Sequence, residues 1–233
     1  MKLKVLASGS KANSYILENE TEALIIEAGV PFKELIRHVD HRKIVGCLVS
    51  HEHQDHAKYL KEYKERGIEM LYPFAGNYEG NYYTSRWVKR GSFEVRAFEN
   101  HHNVKCYGFC IFHIDCGPIV FSTDTGYIEY KYHNIRHWLI ECNYSKEILD
   151  QRVEQGFNPS LADRIVKDHM SLETCKDFFK ANDLSKTRNI VLLHLSDSNS
   201  DSKQFKDEIY SLTNKPTYIA EKGLEIDLSL CPF

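Results

Sequence analysis

The sequence lacks most of the features that mark membrane, fibrous and disulfide-rich proteins. No apolar run approaches the roughly 18–20 residues that a transmembrane helix needs, and the apolar core of the first ten residues is too short for a signal peptide. The chain of 233 residues has only 6 Pro and 12 Gly, which excludes collagen-like and low-complexity sequence. Its 7 Cys are irregularly spaced and contain no CxxC pair. These absences predict a globular protein with reduced thiols, located in the cytoplasm.

A strong excess of charge of either sign is also missing. The sequence has 30 Lys and Arg residues against 33 Asp and Glu residues, for a formal net charge of −3. No global positive field therefore indicates nucleic-acid binding, although a local basic groove is compatible with this balance. The best local candidate is the basic and aromatic stretch 82–90, for which a solvated loop is favoured over a contact surface for single-stranded nucleic acid.

The order of apolar runs predicts a layered α/β architecture. The pattern shows no repeat and no linker, so residues 1–233 are predicted to form one domain. Short apolar runs predict strands near residues 3–7, 14–18, 23–27, 45–49, 93–98, 107–114, 118–121, 190–193, 218–220 and 224–227. Helical patterns occur near residues 30–39, 57–66, 146–155, 172–181 and 202–212. Periodicity alone leaves open a Rossmann-like sheet or a four-layer αββα sandwich.

A dense group of metal-ligand side chains follows the predicted strand at 45–49. Residues 51–56 read His-Glu-His-Gln-Asp-His, and neutral imidazole and carboxylate are the usual ligands of Zn, Mn and Fe. In a short loop His51 and His53 project together while Asp55 and His56 turn the other way, so one loop can serve two adjacent cations. A solvated polar loop is the alternative, but donors of these types rarely coincide at this spacing by chance.

The motif at 51–56 resembles the HxHxDH signature of the metallo-β-lactamase superfamily. Further segments resemble motifs of the YycJ/WalJ group within it, namely SGSKANS at 8–14, STDTG at 122–126, ECNY at 141–144, HMS at 169–171 and HLS at 194–196. The resemblance extends over almost the whole chain. It implies a four-layer αββα sandwich, classed as α/β or in some schemes as α+β, with a dinuclear metal site at one edge of the sheets.

The resemblance also implies two sets of metal ligands. Two histidines of the motif and one of the pair His101 and His102 would hold the first cation. The last two donors of the motif and His194 would hold the second, and Asp124 would bridge the two. His102 is favoured because residues 102–109 match the family pattern HDVxxxGF without a gap. In chain order, the seven ligands carried over are His51, His53, Asp55, His56, His102, Asp124 and His194.

The resemblance adds one catalytic candidate and contains two departures. His169 lies where the family places a histidine near the site, and it would supply a proton or a positive charge to a leaving alkoxide. A helix-capping role beside Ser171 is the structural alternative. Glu27 replaces the family's usual Asp, which commonly lies near the first cation and orients a ligand. Asn103 also stands where Asp is usual, and neither departure removes a ligand.

These inferences predict a metal-dependent hydrolase, and the YycJ/WalJ resemblance favours a phosphodiesterase or nuclease that acts on DNA. Two divalent ions, Zn²⁺ or Mn²⁺, would share a bridging hydroxide that attacks phosphorus, and Asp55 would orient it as well as ligate. A small substrate such as a cyclic nucleotide fits the near-neutral charge equally well. A metal-binding module without activity is the third alternative. The sequence leaves open the metal, the choice between DNA and RNA, exo or endo cleavage, and homo-oligomer formation.

Overall fold

Two β-sheets form the centre of the molecule in the computed structural model, which describes residues 1–72 and 86–230. Part of the stretch 82–90 that was considered for nucleic-acid contact lies outside the described residues. The described strands are β1 (Lys2–Ala7), β2 (Ser14–Glu18), β3 (Ala23–Ile26), β4 (Ile44–Leu48), β5 (Met70–Leu71), β6 (Val88–Arg90), β7 (Phe93–Asn100), β8 (Cys106–His113), β9 (Gly117–Ser122), β10 (His137–Glu141), β11 (Asn189–Leu193), β12 (Thr217–Ile219) and β13 (Glu225–Asp227).

The strands pair in two separate sheets. Within the described residues, the first sheet has the order β13-β1-β2-β3-β4-β5 and the second the order β12-β11-β10-β9-β8-β7-β6. The strands β3, β4 and β5 are parallel, and so are β9, β10, β11 and β12. The remaining pairs, including β7 with β8 and β8 with β9, are antiparallel. Both sheets are therefore mixed, as is common in layered α/β and α+β folds.

Helices accompany the two sheets, and four of them cover the outer faces. Those described are Phe32–Leu35, Gln54–Ala57, Leu60–Glu65, Lys146–Glu154, Pro159–Asp168, Leu172–Ala181 and Ser202–Thr213. None of the helices in the described part of the chain is long and apolar enough to cross a membrane. The predicted domain extent, 1–233, and the predicted cytoplasmic location stay predictions.

The largest apolar cluster lies between the two sheets. Strand residues alternate in direction, and one face of the first sheet contributes Leu3, Tyr15 and Ile26, while the facing side of the second contributes Phe109 and Phe121. All five are buried, and each large apolar side chain removed from water contributes roughly 1.5–3 kcal/mol. This inter-sheet layer is the main core.

The opposite faces of the sheets bury their apolar residues against helices. The helices Phe32–Leu35 and Leu60–Glu65 pack on the first sheet around Tyr63. The helices Leu172–Ala181 and Ser202–Thr213 pack on the second sheet around Trp138. The order helix, sheet, sheet, helix is the predicted αββα sandwich.

Three helical segments differ from their sequence-based prediction. The pattern at 30–39 forms a helix only over Phe32–Leu35, because the next two turns close through hydrogen bonds to the third rather than the fourth preceding carbonyl. The helix expected at 57–66 spans Leu60–Glu65. The helix Pro159–Asp168 was not predicted, although Pro at its start and the Asn158 cap, which accepts from the Ser160 amide, are known start signals.

A buried histidine far from the motif at 51–56 makes the stability of this fold depend on pH. His137 Nε2 donates to the Cys116 carbonyl oxygen over 3.2 Å, and its Nδ1 accepts from Asn189 Nδ2 over 3.1 Å. This arrangement requires the neutral ring. Burial lowers the pKa of His137 to about 4.

We expect the free energy of unfolding to fall as the pH decreases from about 6.5 to about 4. In this range His137 binds a proton in the unfolded chain but stays neutral in the folded chain, so protonation favours unfolding. The loss is at most about 3 kcal/mol, since one pKa unit corresponds to about 1.4 kcal/mol. Urea unfolding of the wild type and of His137→Gln between pH 8 and pH 4 measures it. The difference between the two proteins should shrink on acidification, and parallel pH profiles would contradict the prediction.

Candidate metal centre

The polar residues of the motifs collect at one edge of the sandwich. The register of the parallel strands places the ends of β9, β10 and β11 side by side, and the antiparallel neighbour β8 brings the end of β7 to the same edge. In the other sheet, β3 and β4 also end there, and the Tyr107 amide donates to the Ser50 carbonyl oxygen across the two sheets. Side chains that follow five different strands therefore meet in one place.

The first of three groups of donor atoms contains His51, His53, His102 and Asp124, all within 4.8 Å of one another. Asp124 Oδ2 lies 3.5 Å from His51 Nε2 and 3.8 Å from His102 Nε2. The His102 Nε2 atom is 3.3 Å from His53 Nδ1. These separations suit three imidazoles and one carboxylate arranged around a single cation.

The second group contains Asp55, His56, Asp124 and His194. Asp55 Oδ2 lies 3.1 Å from His56 Nε2 and 3.4 Å from His194 Nε2. The other carboxylate oxygen of Asp124, Oδ1, is 3.5 Å from His56 Nε2 and 3.6 Å from His194 Nδ1. Asp124 thus presents one oxygen to each group, which is the geometry that a bridging carboxylate requires.

A third group, which the sequence reasoning missed as a unit, adds Glu141 and His169 to Asp124 and His194. Glu141 is the last residue of β10 and fully buried, and its Oε1 lies 2.7 Å from His169 Nδ1 and 3.4 Å from His194 Nδ1. Its Oε2 accepts from the Thr125 amide over 2.8 Å. The signal available in the sequence was an acidic residue at the end of an apolar run, where a buried carboxylate needs such partners.

The His169 ring lies inside the site, although its backbone caps the end of a helix. It follows the helix Pro159–Asp168, and its ring stacks on that of His194 with centroids 5.4 Å apart. The helix-capping role belongs to Ser171, whose hydroxyl accepts from the Thr174 amide and caps the helix Leu172–Ala181. The His169 side chain is thus part of the cluster and takes no part in that cap.

The structure separates the two adjacent histidines of the pair. His102 reaches Asp124 and is fixed by Nδ1, which donates to the Asp168 carbonyl oxygen over 3.0 Å. His101 turns outward, where its Nε2 lies 3.0 Å from Glu129 Oε1. Asn103 donates to Asp168 Oδ2 over 2.9 Å, so it also supports the helix end that holds His102.

Glu27 contacts the second group, whereas the resemblance placed the equivalent acid near the first. Its Oε2 lies 3.4 Å from His56 Nδ1, and both its oxygens face the Ser50 amide. The His51 ring is supported instead by Ser50 Oγ, 2.8 Å from its Nδ1. The buried Cys106 thiol lies 3.7 Å from the same nitrogen, and no motif indicated this contact.

Amides orient the other side of the second group. Asn13 Nδ2 lies 3.2 Å from Asp55 Oδ2 and 2.9 Å from His56 Nε2. Asn143 Nδ2 donates to the His194 carbonyl oxygen over 2.7 Å and lies 3.1 Å from His194 Nδ1. A Cβ at Gly29 would lie 2.0 Å from the Asp55 carbonyl oxygen, so only glycine permits the close approach of these backbones.

The backbone is strained at three residues of the site. Glu27, Asp124 and His194 have φ values of 69°, 49° and 55°. For residues other than glycine this left-handed conformation is uncommon and costs on the order of 1–3 kcal/mol each. Each follows a buried strand, and the turn directs its side chain into the cluster. The rest of the fold must offset this cost, as is typical of functional sites.

The electrostatics of the cluster are dominated by buried carboxylates. Within the described residues, Glu27, Asp55, Asp124 and Glu141 lie within 4.0 Å of histidines but of no Lys or Arg. Burial disfavours the Asp124 carboxylate, yet His194 and His56 outweigh burial and hold its pKa well below the usual range. In return, the pKa of His194 rises to about 10 despite burial, chiefly through Asp124. Protons on histidine thus supply the positive charge that the carboxylates need.

The donor set fits divalent metal ions. Burial lowers the pKa of His51 to about 2 and lowers that of His102, so both rings are neutral and able to ligate. His51 Nε2 is buried without a hydrogen-bond partner among the described residues, while its Nδ1 is held by Ser50. A buried nitrogen without a partner is costly, and a cation beside Asp124 would satisfy it. Nitrogen and carboxylate donors favour ions such as Zn²⁺ or Mn²⁺.

Comparisons with known proteins support this architecture. No family model matches the chain. Exodeoxyribonuclease WalJ of Streptococcus pneumoniae is 26% identical over 227 residues, which cover 85% of this chain and 83% of the relative. Exodeoxyribonuclease YycJ of Bacillus anthracis is 26% identical over 224 residues, covering 84% of this chain and 83% of the relative. The resemblance to the YycJ/WalJ group, first drawn from short motifs, is thereby confirmed.

A solved structure decides the fold. The metallo-β-lactamase fold protein YhfI from Bacillus subtilis superposes with a TM-score of 0.70 and 16% identity, covering 97% of this chain and 99% of that chain. The chain has the metallo-β-lactamase fold. The predicted fold class is confirmed, and the described edge cluster lies where this class of sandwich was expected to carry its metal site.

We expect a divalent cation to raise the melting temperature, and His102→Ala to remove most of this effect. At a free Mn²⁺ or Zn²⁺ concentration of about 100 times Kd, binding contributes about 2.7 kcal/mol, or about 5–10 °C for a chain of this length. Differential scanning fluorimetry with and without the cation measures the shift. His101→Ala is the matched control, because its ring points away from Asp124 and should leave the shift unchanged. Equal shifts in both variants would contradict the placement of His102.

Proposed function

We propose that this protein is a metal-dependent phosphodiesterase that degrades DNA, with His51, His53, Asp55, His56, His102, Asp124 and His194 as the ligands of two divalent cations. The observation that carries the proposal is the buried cluster of carboxylates and histidines without any Lys or Arg partner in the described chain. The similarity to two exodeoxyribonucleases over most of the chain supports DNA as the substrate. Divalent cations, when bound, supply Lewis acidity at phosphate oxygens and hydroxide at neutral pH.

Asp55 is proposed to orient the attacking water in addition to binding a cation. Its side chain is 19% exposed, whereas that of Asp124 is 3% exposed, so Asp55 faces the open side of the cluster. Asn13 holds one of its oxygens at 3.2 Å. This leaves the carboxylate positioned to accept a hydrogen bond from water at the solvent side.

His169 is proposed to donate the proton that the leaving alkoxide needs. Its Nδ1 is held by Glu141, so Nε2 is the nitrogen that can face a substrate. Burial opposes the charged ring, but the Glu141 carboxylate outweighs it and raises the pKa of His169. The side chain is 21% exposed, while its partner is fully buried. His169 therefore combines a fixed orientation, a retained proton and access to the open side.

A groove beside the second group offers a path for the substrate. It has a volume of about 450 Å³ and is lined in part by Ser8, Ser10, Lys11, Ser196, Ser200 and Lys222. It adjoins the second group through the backbone, because Ser8, one of its lining residues, accepts from the His194 amide over 2.9 Å. Hydroxyl and ammonium groups can donate to phosphate oxygens. A larger depression of about 1050 Å³ lies near Met1 and Ile114.

We expect the purified protein with Mn²⁺ or Zn²⁺ to degrade DNA, and Asp124→Asn to slow it by more than about 100-fold. Loss of a residue beside a ligand typically costs 10–100-fold, and Asp124 contacts both groups directly. Single-stranded DNA, duplex DNA and cyclic mononucleotides are compared on a gel and by chromatography. If only cyclic nucleotides are hydrolysed, the substrate is a small nucleotide and not DNA. Bound cation without any turnover would overturn the enzymatic proposal.

The role of His169 predicts a dependence on the leaving group. We expect His169→Asn to slow the cleavage of DNA by about 10²–10⁴-fold, the usual contribution of a general acid. Cleavage of thymidine 5′-p-nitrophenyl phosphate should change far less, because p-nitrophenolate leaves without a proton. Initial rates on both substrates measure the ratio. An equal loss on both would assign His169 to binding or folding instead.

A further inference from the structure

Two aromatic rings form an exposed stack next to the candidate metal centre. The rings of His101 and Tyr127 are parallel within 10°, and their centroids are 4.0 Å apart. The His101 side chain is 40% exposed and Tyr127 is 47% exposed. Neither ring contributes to the three groups of donor atoms. The surface therefore carries a flat, half-exposed aromatic pair for which the proposed reaction has no other use.

The stack is tied to the metal centre through the backbone. His101 is adjacent to His102, and Tyr127 is three residues beyond Asp124. The Thr125 hydroxyl accepts from the His101 amide over 3.0 Å and donates to the Tyr127 carbonyl oxygen over 2.7 Å. The Thr125 amide in turn donates to buried Glu141. One fully buried threonine thus fixes both ring-bearing segments relative to the cluster.

The loop that carries Tyr127 is closely packed. The Gly126 amide donates to the His101 carbonyl oxygen over 2.9 Å. A Cβ at Gly126 would lie 2.8 Å from the Lys167 carbonyl oxygen, so the loop rests against the end of the helix Pro159–Asp168. Ile128 packs against the apolar cluster on the outer face of the second sheet. The rings are thus held in place before any ligand arrives, which reduces the entropy cost of binding.

The charge at the stack favours a base over a phosphate. The His101 Nε2 atom lies 3.0 Å from Glu129 Oε1, so this ring nitrogen already has a carboxylate partner. The Tyr127 hydroxyl also lies 3.5 Å from this carboxylate. A phosphate would be repelled by Glu129, whereas a nucleobase stacks on an aromatic face without needing charge.

We propose that the stack of His101 and Tyr127 binds a nucleobase of single-stranded DNA and so positions the adjoining phosphodiester at the metal centre. This inference rests on the proposed function, since it names how that site holds its substrate. Single-stranded DNA is favoured because its bases are free to leave their own stack, whereas paired bases in a duplex are covered on both faces. Tyr127 is thus a residue that determines binding and not a catalytic residue.

Cleavage of single-stranded oligodeoxythymidylate by Tyr127→Leu tests the proposal, with Tyr127→Phe as the matched control that keeps the ring. Loss of one stacked base costs about 5-fold to 150-fold in affinity. We expect the leucine variant to raise KM within this range with kcat little changed, and the phenylalanine variant to resemble the wild type. Tyr127 is on the surface, so both variants should keep the melting temperature of the wild type. An unchanged KM in the leucine variant overturns the proposal.

A set of oligomers with one abasic nucleotide at successive positions gives an independent measure. An abasic nucleotide at one of these positions should raise the KM of the wild type as much as Tyr127→Leu does. At that same position it should not raise the KM of the leucine variant any further. Uniform effects at all positions in both proteins contradict a defined base site. If the wild type does not cleave DNA, the proposed function fails. The affinity for labelled oligodeoxythymidylate, measured by fluorescence anisotropy, then tests the role of the stack independently of cleavage. Binding that Tyr127→Leu weakens supports it, and absent or equal binding overturns it.

Discussion

Buried negative charge at one edge of the sandwich is the constraint on which the rest of the structure depends. Glu27, Asp124 and Glu141 are buried beside histidines, and such carboxylates cannot remain ionised away from water without positive charge. The partly exposed Asp55 adds a fourth negative charge. No Lys or Arg among the described residues lies within 4.0 Å of these carboxylates. The compensation comes from histidines that hold protons, such as His194, and it is the type of charge that divalent cations can replace.

The concentration of charge at this edge is accompanied by backbone strain and by a rigid frame of strands. Asp124 and His194 follow their strands through left-handed turns, and both strands are themselves almost entirely buried and paired on both sides. A hydrophobic layer between the sheets and two more outside them hold these strand ends in register. The proposed ligands outside residues 51–56 follow strand ends, whose positions the core determines. Such placement gives the geometric precision that metal ligation needs.

The sequence predicted the parts of the site that are local in the chain. Residues 51–56 are consecutive in the chain, with Asp55 and His56 on the short helix Gln54–Ala57 and the other donors just before it, and donor type and spacing alone indicated a metal site there. His102, Asp124 and His194 follow separate strands, so no local pattern relates them, and only the resemblance to a known family brought them together. The role of Glu141 was missed, because its neighbours His169 and Thr125 are distant in sequence. Glu27 was placed beside the wrong group for the same reason: which histidine it faces depends on how β3 pairs with β4.

The near-neutral composition fits this arrangement when the sources of DNA affinity are considered together. A protein that binds DNA mainly through Lys and Arg needs a basic surface, and its affinity falls steeply with salt. Here the formal net charge is −3, and in the proposed function the strongest attraction for a phosphodiester would come from cations held by the carboxylates around Asp124. The exposed stack of His101 and Tyr127 adds affinity through a π-face, which carries no net charge. Positive charge is then concentrated at the scissile bond, where it also favours the reaction, and a globally basic field becomes unnecessary.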